Sequence, residues 1–172
     1  MSRYLGGKEV AERIARLLPE AVVDVAPQWV VVDPTKLLAV GRLLKDDPEL
    51  DCRYLISLTA VDRIDHFDLV YHLASLAKNH VIVVKARLLD REKPEAPSLT
   101  AIWRAADLQE CEVYDLMGIR FSGHPSLRRV FLWEGFAGYP LRKDYLNMPG
   151  GVKPGLPLFP GVRPDEEGAV DG

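Results

Sequence analysis

Cys111 and His124 are the two residue types that most readily form a nucleophile and its base. A hydrolase built on them would also need a third group to orient the histidine and a turn to hold an oxyanion, and the sequence supplies neither. His124 could instead ligate a metal, but no cysteine or second histidine stands at ligand spacing from it. The simpler expectations are a turn histidine hydrogen-bonded within the chain and a helical cysteine packed inside it.

The same region carries most of the other side chains capable of chemistry. Glu110, Glu112 and Asp115 put acid on a helix, where they could act in proton transfer or pair with cations. Arg128-Arg129 and Arg142-Lys143 are candidate cations for such pairs, and two-residue clusters are too short to argue for lipid phosphate or nucleic acid. From Arg120 to Tyr145 there are five Lys or Arg against two Asp or Glu, with Phe121, Phe131, Trp133, Phe136, Tyr139 and Tyr145 among them. Arginine, tryptophan and tyrosine are enriched among interface anchors, so this segment is expected to be covered by another polypeptide. Arg142 and Lys143 are expected to serve that contact and to leave the fold untouched.

Turns and helix ends must position these residues. Gly118 is a natural helix stop. Gly123-His124-Pro125 and Gly138-Tyr139-Pro140 read as turns, because the residue before a proline is driven from helical angles. Upstream, Lys8 to Leu18 reads as a helix with Val10, Ile14, Leu17 and Leu18 on one face. Ala21–Val25 and Trp29–Val32 read as two tightly connected strands. Asp33-Pro34 then caps a second helix running to about Lys45, with Gly41 inside it at a cost of about 1 kcal/mol relative to alanine. Arg53–Thr59, Phe67–Leu76 and Val81–Leu89 read as three strands joined by short hairpins. In the third, Ile82, Val84, Ala86 and Leu88 alternate with polar positions, as in an antiparallel sheet with one wet face. Arg91–Pro97 reads as a loop and Thr100–Met117 as helical, with Asp107 to Glu110 resembling a capping box. This order predicts an α+β fold: two layers, a mainly antiparallel sheet flanked by helices, and an extended C-terminal tail. Residues 1–145 form the single domain. Residues 146–172, with six Gly and five Pro, read as a tail without its own core.

Bulk properties exclude several classes. A net charge of −3 argues against nucleic acid as a partner. Two cysteines without a CxxC pair exclude a tetra-cysteine cluster site and a disulfide framework. No leader is expected at Met1–Lys8, and no run of about 18 apolar residues occurs, so contact with a membrane would be indirect.

Several short motifs in one order resemble the signature of the C-type subunits of respiratory complex I, a family of small hydrophilic-arm proteins. They are Tyr114-Asp115-Leu-Met-Gly118-Ile119, then Gly123-His124-Pro125, Leu127-Arg128-Arg129 and Pro140-Leu141-Arg142-Lys143-Asp144-Tyr145. Trp103-Arg-Ala-Ala106 fits the same pattern. Two positions depart from it: Cys111 stands where the family usually has arginine, and Gly135-Phe136 where it usually has Asp-Trp. The resemblance implies a structural, non-catalytic subunit of a proton-translocating NADH:quinone oxidoreductase, peripheral on the cytoplasmic face of the membrane or the equivalent organelle face. It implies packing against a D-type partner and other hydrophilic-arm subunits, through the signature residues just quoted. It also implies that this chain binds no cofactor, while NADH, FMN, iron–sulfur clusters and quinone belong to the whole complex. A scaffold role in a membrane-bound hydrogenase or ferredoxin-linked complex is the near alternative; a stand-alone Cys/His hydrolase is the distant one.

Overall fold

The computed structural model describes residues 3–145, so the expectation for the 146–172 tail lies outside the described residues. Strand β1 (Arg3–Tyr4) leads into helix α1 (Gly7–Leu17), whose Val10, Ala11 and Ile14 recur at helical spacing and are buried. Strands β2 (Val22–Val25) and β3 (Val30–Val32) follow as an antiparallel pair. The Asp33 carboxylate then accepts the Thr35 N–H at 2.8 Å, capping a short 3₁₀ turn, Pro34–Lys36, that feeds helix α2 (Leu37–Asp46). Gly41 sits in α2 where the helix approaches the turn at Ile102 and Trp103. A Cβ there would come within 2.8 Å of Ile102 Cδ1, so the glycine trades helix propensity for close packing.

Strands β4 (Tyr54–Asp62), β5 (Phe67–Ser75) and β6 (His80–Leu88) pair antiparallel through two hairpins, as expected. The sheet order is β2-β3-β6-β5-β4, with β1 also on β6. β1 and β3 run parallel to β6, so the sheet is mixed though mainly antiparallel, and the fold is α+β. One sheet face carries Leu69, Leu73, Ile82, Val84 and Ala86 into a core shared with Val10, Ile14, Val40 and Leu44 of the helices.

Two readings of local structure are corrected. Residues 95–97 are not loop but strand β7 (Glu95–Pro97), which pairs parallel with β8 (Arg120–Ser122). Helix α3 spans only Ala106–Met117; Thr100 to Ala105 lie in turns, and Ala105 occupies the cap position without a side-chain bond. Asp107 therefore caps nothing.

Candidate functional site

Helix α3 lies along edge strand β4, where Gln109 Oε1 accepts the Leu58 N–H. It carries four acids, Asp107, Glu110, Glu112 and Asp115, and among the described residues only Asp115 meets an arginine. Glu112 is exposed. Glu110 is fully buried and turned to the opposite element: it accepts the Ser98 hydroxyl and the Leu99 N–H, each at 2.7 Å. Burial raises its pKa and these two bonds pull the other way. Asp115, also fully buried, is the one that pairs as expected. Its Oδ2 accepts three consecutive N–H groups, from Val130 at 2.9 Å, Phe131 at 2.8 Å and Leu132 at 3.0 Å, while Oδ1 lies 3.3 Å from Arg129 Nη1. Burial opposes its charge, but the amides and Arg129 prevail and its pKa is lowered.

Gly118 ends α3 at φ +72°, with its N–H donated to the Tyr114 carbonyl at 2.9 Å. The ring of Tyr139 occupies the space a Cβ would need. Arg142 stacks over that ring at 4.8 Å and over Phe67 at 5.1 Å. Its Nε donates to the Met117 carbonyl at 2.7 Å and its Nη1 to the Arg91 carbonyl at 3.1 Å. Arg142 therefore serves the fold, against the expectation that it would leave the fold untouched: the chain closes around its guanidinium from three sides. Lys143 uses only its N–H, given to Asp62 at 3.0 Å, and its side chain is exposed. Asp144 pairs with Arg91 at 3.2 Å. Tyr145 is buried, stacks on Phe136 and donates to the Ala137 carbonyl. Pro140 turns the chain so that the Leu141 N–H reaches the Leu116 carbonyl at 3.1 Å.

His124 and Cys111 meet, at 3.9 Å, inside a set of main-chain bonds. The Ser126 N–H donates to His124 Nδ1 at 3.0 Å, which leaves the ring proton on Nε2, donated to the Asp107 carbonyl at 3.0 Å. Both ring nitrogens of His124 are thus engaged with the main chain. Both side chains are fully buried. Asp107 Oδ1 approaches the same nitrogen at 3.3 Å, completing an Asp–Cys–His cluster held by main-chain bonds.

Gly123 and Pro125 lie exposed on the turn before this cluster, and Arg128 reaches back to the Ser126 carbonyl at 3.0 Å. Of the charged signature residues, Asp115, Arg129 and Arg142 turn inward, while Arg128, Lys143 and Asp144 stay exposed. Exposed beside them are the apolar side chains of Val130, Phe131, Trp133 and Leu141, with Phe131 66% exposed. Sequence reading missed the hub beneath them. Asp62 on β4 accepts Arg91, 29 residues on, and the Lys143 N–H, 81 residues on. No local pattern marks a pair so far apart.

The family described as respiratory-chain NADH dehydrogenase, 30 Kd subunit, matches residues 30–149. The C-type subunit of the NADH-quinone oxidoreductase of Moorella thermoacetica is 43% identical over 145 residues, 81% of this chain and 96% of that one. The chain belongs to this 30 Kd subunit family. A C-type subunit of the NADH-quinone oxidoreductase of Rhizobium etli, numbered 2, is 43% identical over 117 residues, and the match spans 62% of its length. The C/D-type subunit of Phocaeicola vulgatus is 50% identical over 93 residues, 54% of this chain but only 18% of its own. A solved chain of the membrane-bound sulfane sulfur reductase, an archaeal respiratory membrane complex, superposes with TM-score 0.65 at 27% identity, covering 80% of this chain and 84% of that one. A trypsin-resistant fragment of Nqo5 gives TM-score 0.50 at 27% identity, covering 67% of this chain and 99% of the fragment. The family match runs from β3 through the whole Asp115–Arg142 assembly.

Proposed function

We propose that this 30 Kd subunit is a cofactor-free structural component of a proton-translocating NADH:quinone oxidoreductase, packed against a D-type partner in the hydrophilic arm. The observation that carries the reading is the division of labour in residues 110–145. Asp115, Gly118, Arg142 and Tyr145 are spent on internal bonds and packing, and the loop they hold offers Val130, Phe131, Trp133 and Leu141 outward. Apolar side chains rigidly presented and rimmed by Arg128 and Lys143 fit a protein partner better than a small substrate. The C/D-type relative supports the choice of partner, because its name joins C and D in one polypeptide of which this chain matches 18%. The tautomer of His124 supports a non-catalytic role. None of the helices among the described residues is long and apolar enough to cross a membrane, so attachment at the cytoplasmic face would run through partners.

The likeness to the sulfane sulfur reductase chain favours one second reading, the same scaffold role in a related respiratory complex with another electron donor or acceptor. Affinity recovery of the tagged full-length chain from detergent-solubilised membranes tests both. Companions with flavin, iron–sulfur clusters and NADH-dependent quinone reduction support the first. Clusters without NADH oxidation support the second. A chain recovered alone, with turnover of its own, overturns both.

A further inference from the structure

The large sheet has a second face that no helix among the described residues covers. Alternation sends Val31, Val70, Val83, Lys85 and Arg87 away from the core that receives Val84, Ala86 and Leu69. On this outward side lies a groove of about 570 Å³, lined by Tyr4, Trp29, Thr59, His72, Val83 and Lys85 among others. Its floor is apolar and low: Val70 is 8% exposed although no described element lies over it. The one formal charge in the lining is Lys85, whose ammonium sits 3.7 Å from the centre of the Trp29 ring. Lys85 has no carboxylate partner at ion-pair distance among the described residues. The nearest acid on that face, Asp68, is already shared by Arg63 at 3.3 Å, Arg87 at 3.5 Å and His66 at 3.4 Å. Asp24 lies opposite Val31 on the edge strand and Asp65 in the β4–β5 turn, both outside the groove. Burial lowers the Lys85 pKa; Asp68 pulls it back up, and the neighbouring Arg63 and Arg87 add to the lowering.

We propose that this outward groove is a second docking surface, which receives from a neighbouring polypeptide a segment presenting an apolar side chain beside a carboxylate. The apolar side chain covers Val70 and Val83, and the carboxylate meets Lys85. The inference rests on the reading of the chain as part of a larger complex. It adds a second gripped surface, separate from the 110–145 segment, whose Arg142 lies against the Phe67 ring on the other face of the sheet. The chain would then join two neighbours that need not touch each other. An acidic occupant fits the sign of Lys85, Arg87 and Arg63 together, although the whole chain carries −3.

The test uses the full-length chain in its membrane complex. Both native cysteines are buried, so the exposed Thr59→Cys variant takes a thiol-reactive photo-crosslinker at the groove. The expected result is at least tenfold slower thiol labelling in the assembled complex than in the free chain, and a cross-link to an Asp- or Glu-containing peptide of a companion. Lys85→Glu is expected to lower companion recovery about tenfold and Lys85→Gln less, with the difference shrinking at high salt. Equal labelling in both states, a cross-link to this chain's own residues 146–172 or to a second copy, or wild-type recovery by a folded Lys85→Glu chain would overturn the proposal. Should the wild-type chain itself recover no companions, the reading of it as part of a complex falls and this inference with it; loss confined to the groove variants leaves that reading intact.

Discussion

Asp62 and Arg91 meet end to end, both carboxylate oxygens on both terminal guanidinium nitrogens, at the base of the family segment. Asp62 is 3% exposed and also accepts the N–H groups of Ile64 and Lys143, so one side chain joins the sheet to the end of the carboxyl-terminal segment. Burial works against its charge, yet Arg91 and the amides hold its pKa at about 2, below the ordinary 3.8.

That depression fixes the sign of an acid effect. A carboxyl whose folded pKa lies below its unfolded value contributes stability above the unfolded value and loses it as pH falls through the folded one. The shift from 3.8 to about 2 corresponds to roughly 2 kcal/mol. Asp62→Asn should lose about that much near pH 7, and wild-type stability should fall between about pH 4 and pH 2, where the variant changes less. Urea titrations at several pH values check this; a variant as stable as wild type near neutrality would refute it.

Removing Asp115 should free a loop without unfolding the domain. In Asp115→Ala, the N–H groups of Val130, Phe131 and Leu132 lose their shared acceptor, and their hydrogen exchange should rise about tenfold or more while β5 and β6 keep their protection. Residue-resolved exchange by NMR measures it directly. Unchanged rates at all three positions would show that another acceptor holds the loop.

The adjacent cations should behave in opposite ways. Arg142→Ala removes two bonds to main-chain carbonyls and stacking on two rings, so the isolated chain should lose about 2–3 kcal/mol. Lys143→Ala removes an exposed side chain and should change stability by less than about 0.5 kcal/mol. Equal stabilities of the two single variants would contradict the placement of Arg142.

Two glycines with positive φ separate strain from crowding. Gly123, at φ +80°, faces open space, and Gly123→Ala should cost about 1 kcal/mol. Gly118, at φ +72°, is overlain by the Tyr139 ring, so Gly118→Ala should cost about 3 kcal/mol or more. Thermal denaturation of the pair gives the comparison, and the ordering is the point at risk.

Local rules made much of the fold legible. Val10 and Ile14 announced α1, the alternation from Ile82 to Leu88 announced β6, and Asp33-Pro34 and Gly118 marked ends that the structure reproduces. What escaped depends on distance along the chain. β7 and β8 are three residues each, too short for a period, and exist because they pair with each other across α3. The parallel contact of β3 with β6 has no sequence mark either. In the site, Asp115 with Arg129 could be anticipated because the two lie within one segment. Glu110 turned to Ser98 and Leu99, and Arg142 to the carbonyls of Met117 and Arg91, because residue type states what a side chain can bond to and not where its partner will be.

The three amides gathered on Asp115 have a kinetic meaning. Val130 to Leu132 have little freedom left to surrender when a neighbour covers them, so the encounter resembles two finished castings meeting. On the proposed reading, discrimination between neighbours would fall to steric match at Phe131 and Trp133, exposed on a loop whose amides Asp115 already holds.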